Sequence, residues 1–424
     1  MRRITRFLSC AVLCVVLSAC WPVPGQNADR TGHNSVERAI TPATVADLEL
    51  AWTTFTAGSA VVSTGGVHIV DPNFCAITTV RPSDGELVWY SILAEPDACG
   101  AVQDATTLTD PFVVDGKVVV GYDTMFNTRG CCPALWEHRF GTPAFDVATG
   151  AEGSGPLGGM VDSVRGDVSV SFHAQQVSLF SNAVIASTSV RGSGVGGPAL
   201  SIPYWLQDGT TIGRDAFLHS GYGLLATAPG DPTMGYAVRA YSLSGRENTC
   251  GEAGTETCPQ WATPIDGAAA GPPVLRDGGA TVFAVTTAGT AYALDGATGA
   301  VQWSAPVGSA LTGSPALAGG VLYVPTASGE LVAIDAATGT VSWRGATGSG
   351  AAIAGQPASA GGVVFTASTD GRVAAFDAAG CGAATCGTLW TTTAGTRMTG
   401  GPIVSNGQLY VPSNAGLTAY RLPA

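Results

Sequence analysis

The sequence predicts an all-β chain folded as an eight-bladed β-propeller, and three observations carry that expectation. A segment recurs at a spacing of 40 residues between Asp295 and Asp335, short β-branched runs are separated by Gly-containing turns, and no amphipathic helix lies between them. The 424 residues include 58 Gly and 25 Pro, with 46% hydrophobic and only 12% charged residues, which excludes a disordered chain. A formal charge of −12 with no basic run excludes a nucleic-acid binder.

The elements follow in chain order. Arg2, Arg3 and Arg6 precede the apolar run Phe7 to Leu17, which is too short for the about 20 residues that span a bilayer. Residues 1–19 therefore read as an export signal. Leu17-Ser18-Ala19-Cys20 resembles a bacterial lipobox, which implies acylation at Cys20 and anchoring of the exported chain to the membrane. Plain secretory cleavage near Ala19 is the alternative. Residues 20–47 read as the lipidated cysteine with a tether and lead-in, the Pro/Gly/polar stretch 21–35 acting as a spacer that holds the body, 48–424, off the membrane. Of the 11 cysteines, eight remain after Cys10, Cys14 and Cys20 are set aside, and an oxidising compartment makes disulfides the expectation.

The repeat is explicit in Ala293-Leu294-Asp295-Gly296-Ala297-Thr298-Gly299 running to Trp303, and again in Ala333-Ile334-Asp335-Ala336-Ala337-Thr338-Gly339 running to Trp343. Ala375-Phe376-Asp377 reaches Trp390 after an insertion, and Ala144-Phe145-Asp146 continues to Thr149-Gly150 without the Trp. An Asp at such a turn accepts backbone N–H bonds, Gly supplies positive φ, and a Trp on the outer strand packs between neighbouring blades. Asp295, Gly299, Trp303, Asp335, Gly339, Trp343, Asp377 and Trp390 are thus expected to be structural.

These residues resemble the tryptophan-docking motif of the PQQ-like propellers, the quinoprotein alcohol dehydrogenase-like family. Asn34 and Glu37 to Leu48 and Trp52 are similar to its N-terminal lead-in. The resemblance implies a propeller scaffold. Within it, the chain looks like the propeller lipoproteins of the outer-membrane barrel-assembly machine, which implies a protein or cell-envelope partner and no cofactor. The alternatives are a PQQ- and calcium-dependent alcohol or sugar dehydrogenase and an envelope ligand sensor.

The blades are expected at about 59–91, 105–155, 166–213, 217–263, 272–305, 313–345, 355–392 and from 400 onward. The last lacks a Trp strand, and Leu48-Glu49-Leu50-Ala51-Trp52-Thr53 is a Trp strand without a blade, so the N-terminal strand is expected to close the ring. With strands lettered A to D from the axis outward, B–C and D–A connections share one end. Long B–C connections are expected at Asp71 to Cys75, Thr124 to Thr142, Arg191 to Pro198 and Pro229 to Gly235, all in blades one to four. That end is the candidate binding face, with Asp71, Asn73, Arg129, Trp136, His138, Arg139, Arg191 and Asp231 as its candidate residues.

Cys250 with Cys258 and Cys381 with Cys386 each fall in one C–D connection. Cys75 with Cys99 plus vicinal Cys131–Cys132 is the first pairing for the rest, and cross-pairing among the four is the second. Adjacent cysteines also resemble those of the family's dehydrogenases, which implies a PQQ pocket near Trp136, His138 and Arg139. The family's acidic calcium ligands and catalytic Asp are not placed in the sequence, with Asp71, Asn73 and Asp231 as calcium candidates by face only. No catalytic residue is assigned and no metal site is expected. The five histidines lack ligand spacing, and the chain has no nucleophile elbow, P-loop or zinc-protease motif.

Overall fold

Strands rich in Val, Ile, Phe and Tyr pair antiparallel, mostly with near neighbours in sequence, and several inner pairs are joined by two-residue turns such as 64–65, 319–320 and 406–407. The computed structural model describes residues 20–22, 25–27, 29–72, 74–93, 106–108, 110–114, 116–127, 136–141, 143–153, 160–165, 168–173, 176–181, 206–212, 216–221, 237–242, 249–250, 256–257, 260–267 and 269–423. The expected signal peptide lies outside them.

The first sheet pairs Ser59–Ser63, Gly66–Asp71, Ala76–Val80 and Leu87–Ile92 in order. The second pairs Phe112–Val114, Lys117–Val119, Ala144–Asp146 and Glu152–Gly153. Met160–Arg165, Val168–His173 and Gln176–Ser181 form a third, and Leu206–Ile212, Ala216–Gly221, Ala237–Ser242 and Trp261–Pro264 a fourth. Three further sheets have inner strands Val274–Arg276, Ala316–Ala318 and Ile353–Ala360, and outer strands Val301–Pro306, Val341–Ala346 and Trp390–Thr393. In the last sheet Ile403–Ser405, Gln408–Ser413 and Gly416–Arg421 are completed by the N-terminal strand Glu49–Thr53, which pairs Glu49 with Arg421 and Trp52 with Ala419. This is an all-β propeller whose last blade is closed by the N-terminus.

The core lies between sheets rather than within one. Phe283 and Val285 of the fifth sheet cluster with Leu322, Val324 and Val332 of the sixth, and Tyr323 and Leu331 of the sixth with Val364 and Phe376 of the seventh. Tryptophans fix these interfaces. Trp303 donates Nε1–H to the Ala336 carbonyl of the next sheet at 3.1 Å, and Trp261 and Trp89 do the same to Gly296 and Val147. Trp52, on the closing strand, donates to Pro82 of the first sheet at 2.8 Å. The closing strand therefore completes one blade and docks on the next.

Two boundaries differ from the sequence expectation. Residues 206–212 pair with Ala216–Gly221 in the fourth sheet rather than ending the third, and the third begins at Met160 rather than near 166. The stretch Thr124 to Thr142 is not merely a loop. Tyr122–Asn127 and Trp136–Gly141 form an antiparallel hairpin with Thr106–Leu108 as a third strand. Its Tyr, Thr, Phe and Trp content favours strand, and the two halves prolong the second sheet's B and C strands.

The stretch 21–35 is no free spacer. Cys20 and Trp21 are buried at 7% and 4% exposure, and the segment is bonded to the inner strands of six sheets.

Candidate functional site

A propeller's innermost strands leave a row of backbone N–H and C=O groups facing the axis, and these need partners. Here the N-terminal segment supplies them. The carbonyls of Trp21, Pro22, Asp29, Thr31 and Gly32 accept N–H bonds from Val62, Val113, Leu275, Leu317 and Ser359, at 2.7–2.8 Å. Asn34 Nδ2 donates to the Val404 carbonyl at 2.9 Å. All six inner-strand residues occupy one register position: Val62 pairs with Val67, Val113 with Val118, Leu275 with Val282, Leu317 with Leu322, Ser359 with Val364 and Val404 with Leu409. In each sheet this is one pair above the A–B turn. The segment is a belt lying at a single level near the A–B end of the axis.

Local chemistry shapes the belt. Asn27 Oδ1 accepts from the backbone N–H groups of Asp29 and Thr31, and Asn27 Nδ2 donates to Thr31 Oγ1 at 2.7 Å. Gly32 has φ +60°, and a Cβ there would lie 2.8 Å from the Pro357 carbonyl oxygen. Gln356 Nε2 ties the belt to the ring through the Arg30 and Pro315 carbonyls, both at 2.7 Å. The belt leaves through Glu37, buried, whose carboxylate accepts from the Gly407 N–H at 2.7 Å in the last blade's A–B turn. Sequence reading singled out Asn34 and Glu37 without a role, and nothing in the Pro/Gly/polar composition distinguishes a belt from a spacer.

The C–D turns share this end. Asp295 Oδ1 accepts from the N–H groups of Ala297 and Thr298 and from Thr298 Oγ1, and Asp335 and Asp146 repeat the arrangement. Their carboxyls are held below the usual carboxylate range, first by the bond from the Thr side chain. Gly299 and Gly339 lie against Trp261 and Trp303, leaving no room for a side chain. Asp377 accepts from the Ala379 N–H, and Gly380, not singled out in the sequence, stands under Trp343 where the insertion removed the Thr-Gly step. Trp343 lies between Tyr323 and Phe376, and Trp390 meets Tyr420 edge-on at 5.3 Å.

The opposite, B–C end holds the candidate binding residues except Arg191. The third sheet's B and C strands, Val168–His173 and Gln176–Ser181, are separated only by residues 174–175, so the expected B–C connection at Arg191 to Pro198 is corrected to a position in sequence after the C strand. Asp71 is buried at 3% exposure, so its carboxylate is not presented to solvent as a surface candidate should be. Trp136, His138 and Arg139 lie on one strand of the projecting hairpin, opposite Asn127, Met125 and Thr124. Asn73, Arg129, Cys131, Cys132, Arg191 and Asp231 lie outside the described residues, as do Cys99 and Cys258. Cys75 is disulfide-bonded. Cys381 and Cys386 form a disulfide with Cα atoms 5.6 Å apart, and Thr385–Cys386 adds in parallel to the sixth sheet's outer strand. Cys250 lies on a short hairpin, Thr249–Cys250 with Glu256–Thr257.

His68 is the buried histidine of the first sheet. It bridges Ser63 Oγ and Thr79 Oγ1, both at 2.7 Å, and burial lowers its pKa to about 3. Enclosed on all sides, the Ser63–His68–Thr79 chain is a core link with no route for a substrate.

Comparison with known proteins fits this geometry. The family model described as outer membrane protein assembly factor BamB matches residues 244–423, the region of the clearest repeats. Among solved structures, a quinohemoprotein alcohol dehydrogenase from Pseudomonas putida HK5 is 14% identical with TM-score 0.64, covering 97% of this chain and 81% of its own. This chain matches a PQQ-like propeller. BamB from Moraxella catarrhalis is 14% identical with TM-score 0.55, covering 88% of this chain and 99% of its own. The C-terminal WD40 domain of Sif2 aligns with TM-score 0.63 at 12% identity, covering 89% of this chain and 99% of its own, so these likenesses speak to fold. No curated protein matches the chain.

PQQ and calcium are the groups that such a fold brings into question. Among the described residues no group of three or more His, Cys, Asp or Glu is placed to hold a metal ion, and Asp71 is buried. Cys131, Cys132, Arg129, Asn73 and Asp231, on which a calcium–quinone centre would rest, lie outside the described residues, and no chemical step is derived through one. No helix among them is long and apolar enough to cross a membrane.

Proposed function

We propose that this PQQ-like propeller is a lipid-anchored, extracytoplasmic binding or scaffold module, attached through Cys20 and engaging a protein or cell-envelope component on the B–C end of blades one to four. The observation that carries the reading is the hairpin Tyr122–Asn127/Trp136–Gly141, which continues the second blade's B and C strands in register at the end opposite the belt. A rigid ring presenting an added strand pair is suited to recognition. The match to a BamB family model, and the likeness to BamB itself, support a partner of the envelope-assembly kind. The likeness to an alcohol dehydrogenase keeps the PQQ- and calcium-dependent enzyme as the alternative, with an envelope ligand sensor as the second.

One experiment separates them. The processed chain is titrated calorimetrically with PQQ and Ca²⁺ and assayed for dye-linked alcohol oxidation, beside a variant in which residues 124–142 are replaced by a short turn. The scaffold reading expects no quinone binding, an unchanged melt for the shortened variant, and loss of the envelope partner that the parent retains on cross-linking. Stoichiometric binding with turnover would establish the dehydrogenase instead.

A further inference from the structure

Cys20 is one residue from a fixed point. Trp21 exchanges both backbone bonds with Val62, its N–H donating at 3.0 Å and its carbonyl accepting at 2.8 Å, and its side chain is buried. The pairing is antiparallel, so Cys20 lies on the Ser63 side of Trp21, toward the A–B turn. A residue spans at most roughly 3.5 Å of extended chain, so an acyl group on Cys20 has almost no slack. The belt leaves the ring at the same end, through Glu37.

We propose that the end of the propeller formed by the A–B and C–D connections is its membrane-facing surface, and that the B–C end points away from the bilayer. The inference rests on the Cys20 anchor of the preceding reading and adds the orientation that the belt imposes. Val36, Leu50 and Leu87 are exposed at 52%, 61% and 59% at this end of the last and first blades, the sector where Cys20 enters, and Arg38, Arg81 and Arg421 are exposed at the same end. Phe55 and Phe74 are exposed at 97% and 73% at the opposite end of the same blades, so the orientation stands on the short reach of Cys20 and not on exposed apolar surface. Apolar side chains interspersed with long cations suit a headgroup boundary. The C–D turns also carry the carboxylates of Asp84, Asp295 and Asp335, so the surface fits neutral lipid, brought close by the covalent anchor rather than by charge.

The test uses the full processed chain in phosphatidylcholine vesicles that contain a photoactivatable phosphatidylcholine. After illumination the lipid adducts are mapped by peptide mass spectrometry, and the mass of the N-terminal peptide reports acylation separately. The expected result is an acylated N-terminal peptide with adducts on the peptides bearing Arg38, Arg81 and Arg421, and none on the B–C turns at Ser328 and Asp370. Adducts on those B–C turns, or spread evenly over both ends, with acylation intact would overturn the orientation alone. An N-terminal peptide lacking lipid would overturn the anchor and the orientation together.

Discussion

At the scale of single residues, the repeat motif works because one glycine meets two demands. Gly339 has φ +76°, and a Cβ there would stand 2.8 Å from Trp303 Cδ2. Gly320 has a similar φ of +79° but open space around it. Gly339→Ala is therefore expected to destabilise by about 2–3 kcal/mol in urea unfolding and Gly320→Ala by about 1 kcal/mol. Equal losses would mean that backbone conformation, not tryptophan docking, selects the glycine. His68 gives a pH-dependent prediction. Its folded pKa of about 3 lies below the ordinary 6.5, so the unfolded chain takes up a proton that the folded chain refuses as pH falls through 6.5. Stability is complete above that value and declines below it, by about 1.4 kcal/mol per pH unit once the unfolded histidine is protonated. The motif carboxylates are held below the usual range and titrate at lower pH, but His33, also lowered by burial, contributes in the same direction between pH 6.5 and 5, so the difference between the parent and His68→Gln, not the window alone, isolates His68. Unfolding midpoints should fall across that window in the parent and stay flatter in His68→Gln. Parallel slopes would refute the assignment.

At the scale of elements, what could be read in advance depended on whether the information was local. Asp295 to Trp303 and Asp335 to Trp343 spell out turn, glycine and docking strand within one repeat, so their sheets were foreseeable. The orphan strand around Trp52 was equally readable, because a Trp strand without a blade and a blade without a Trp strand imply each other. The third and fourth blades lack the motif, so no local marker in the sequence ties the strand at 206–212 to the fourth blade, where it pairs with Ala216–Gly221. The parallel addition of Thr385–Cys386 to the sixth sheet was beyond sequence reasoning too, because the disulfide that shapes the strand is local whereas the edge that it covers belongs to the preceding blade. On the candidate face, a residue's end of the ring could be inferred from its place between strands, but burial could not. Asp71 ends the B strand Gly66–Asp71, where it pairs with Ala76 beside the expected B–C connection, and it is buried.

At the scale of the whole molecule, the N-terminus joins the ring twice, and the two joins predict different losses. The closing strand Glu49–Thr53 supplies the last blade's outer strand and, through Trp52, the contact with the first blade. Without it two neighbouring blades lose their shared interface and the ring opens. The belt instead satisfies five inner N–H groups and buries Trp21 while leaving every interface between blades intact. At about 1 kcal/mol per bond, with 2–3 kcal/mol for the tryptophan, its removal costs roughly 7 kcal/mol. For a chain of this length, at about 2.1 cal/mol/K of unfolding entropy per residue, that lowers the melting temperature by roughly 5–10 °C. A chain beginning at Arg38 is therefore expected to remain folded and melt lower by about that amount, whereas deletion of 48–54 from the otherwise full chain should abolish the cooperative melt or lower it much further. Scanning calorimetry of the three proteins decides between a belt and a spacer: a chain from Arg38 that melts with the parent would return residues 21–37 to the role of a tether, and with it would go the fixed orientation at the membrane.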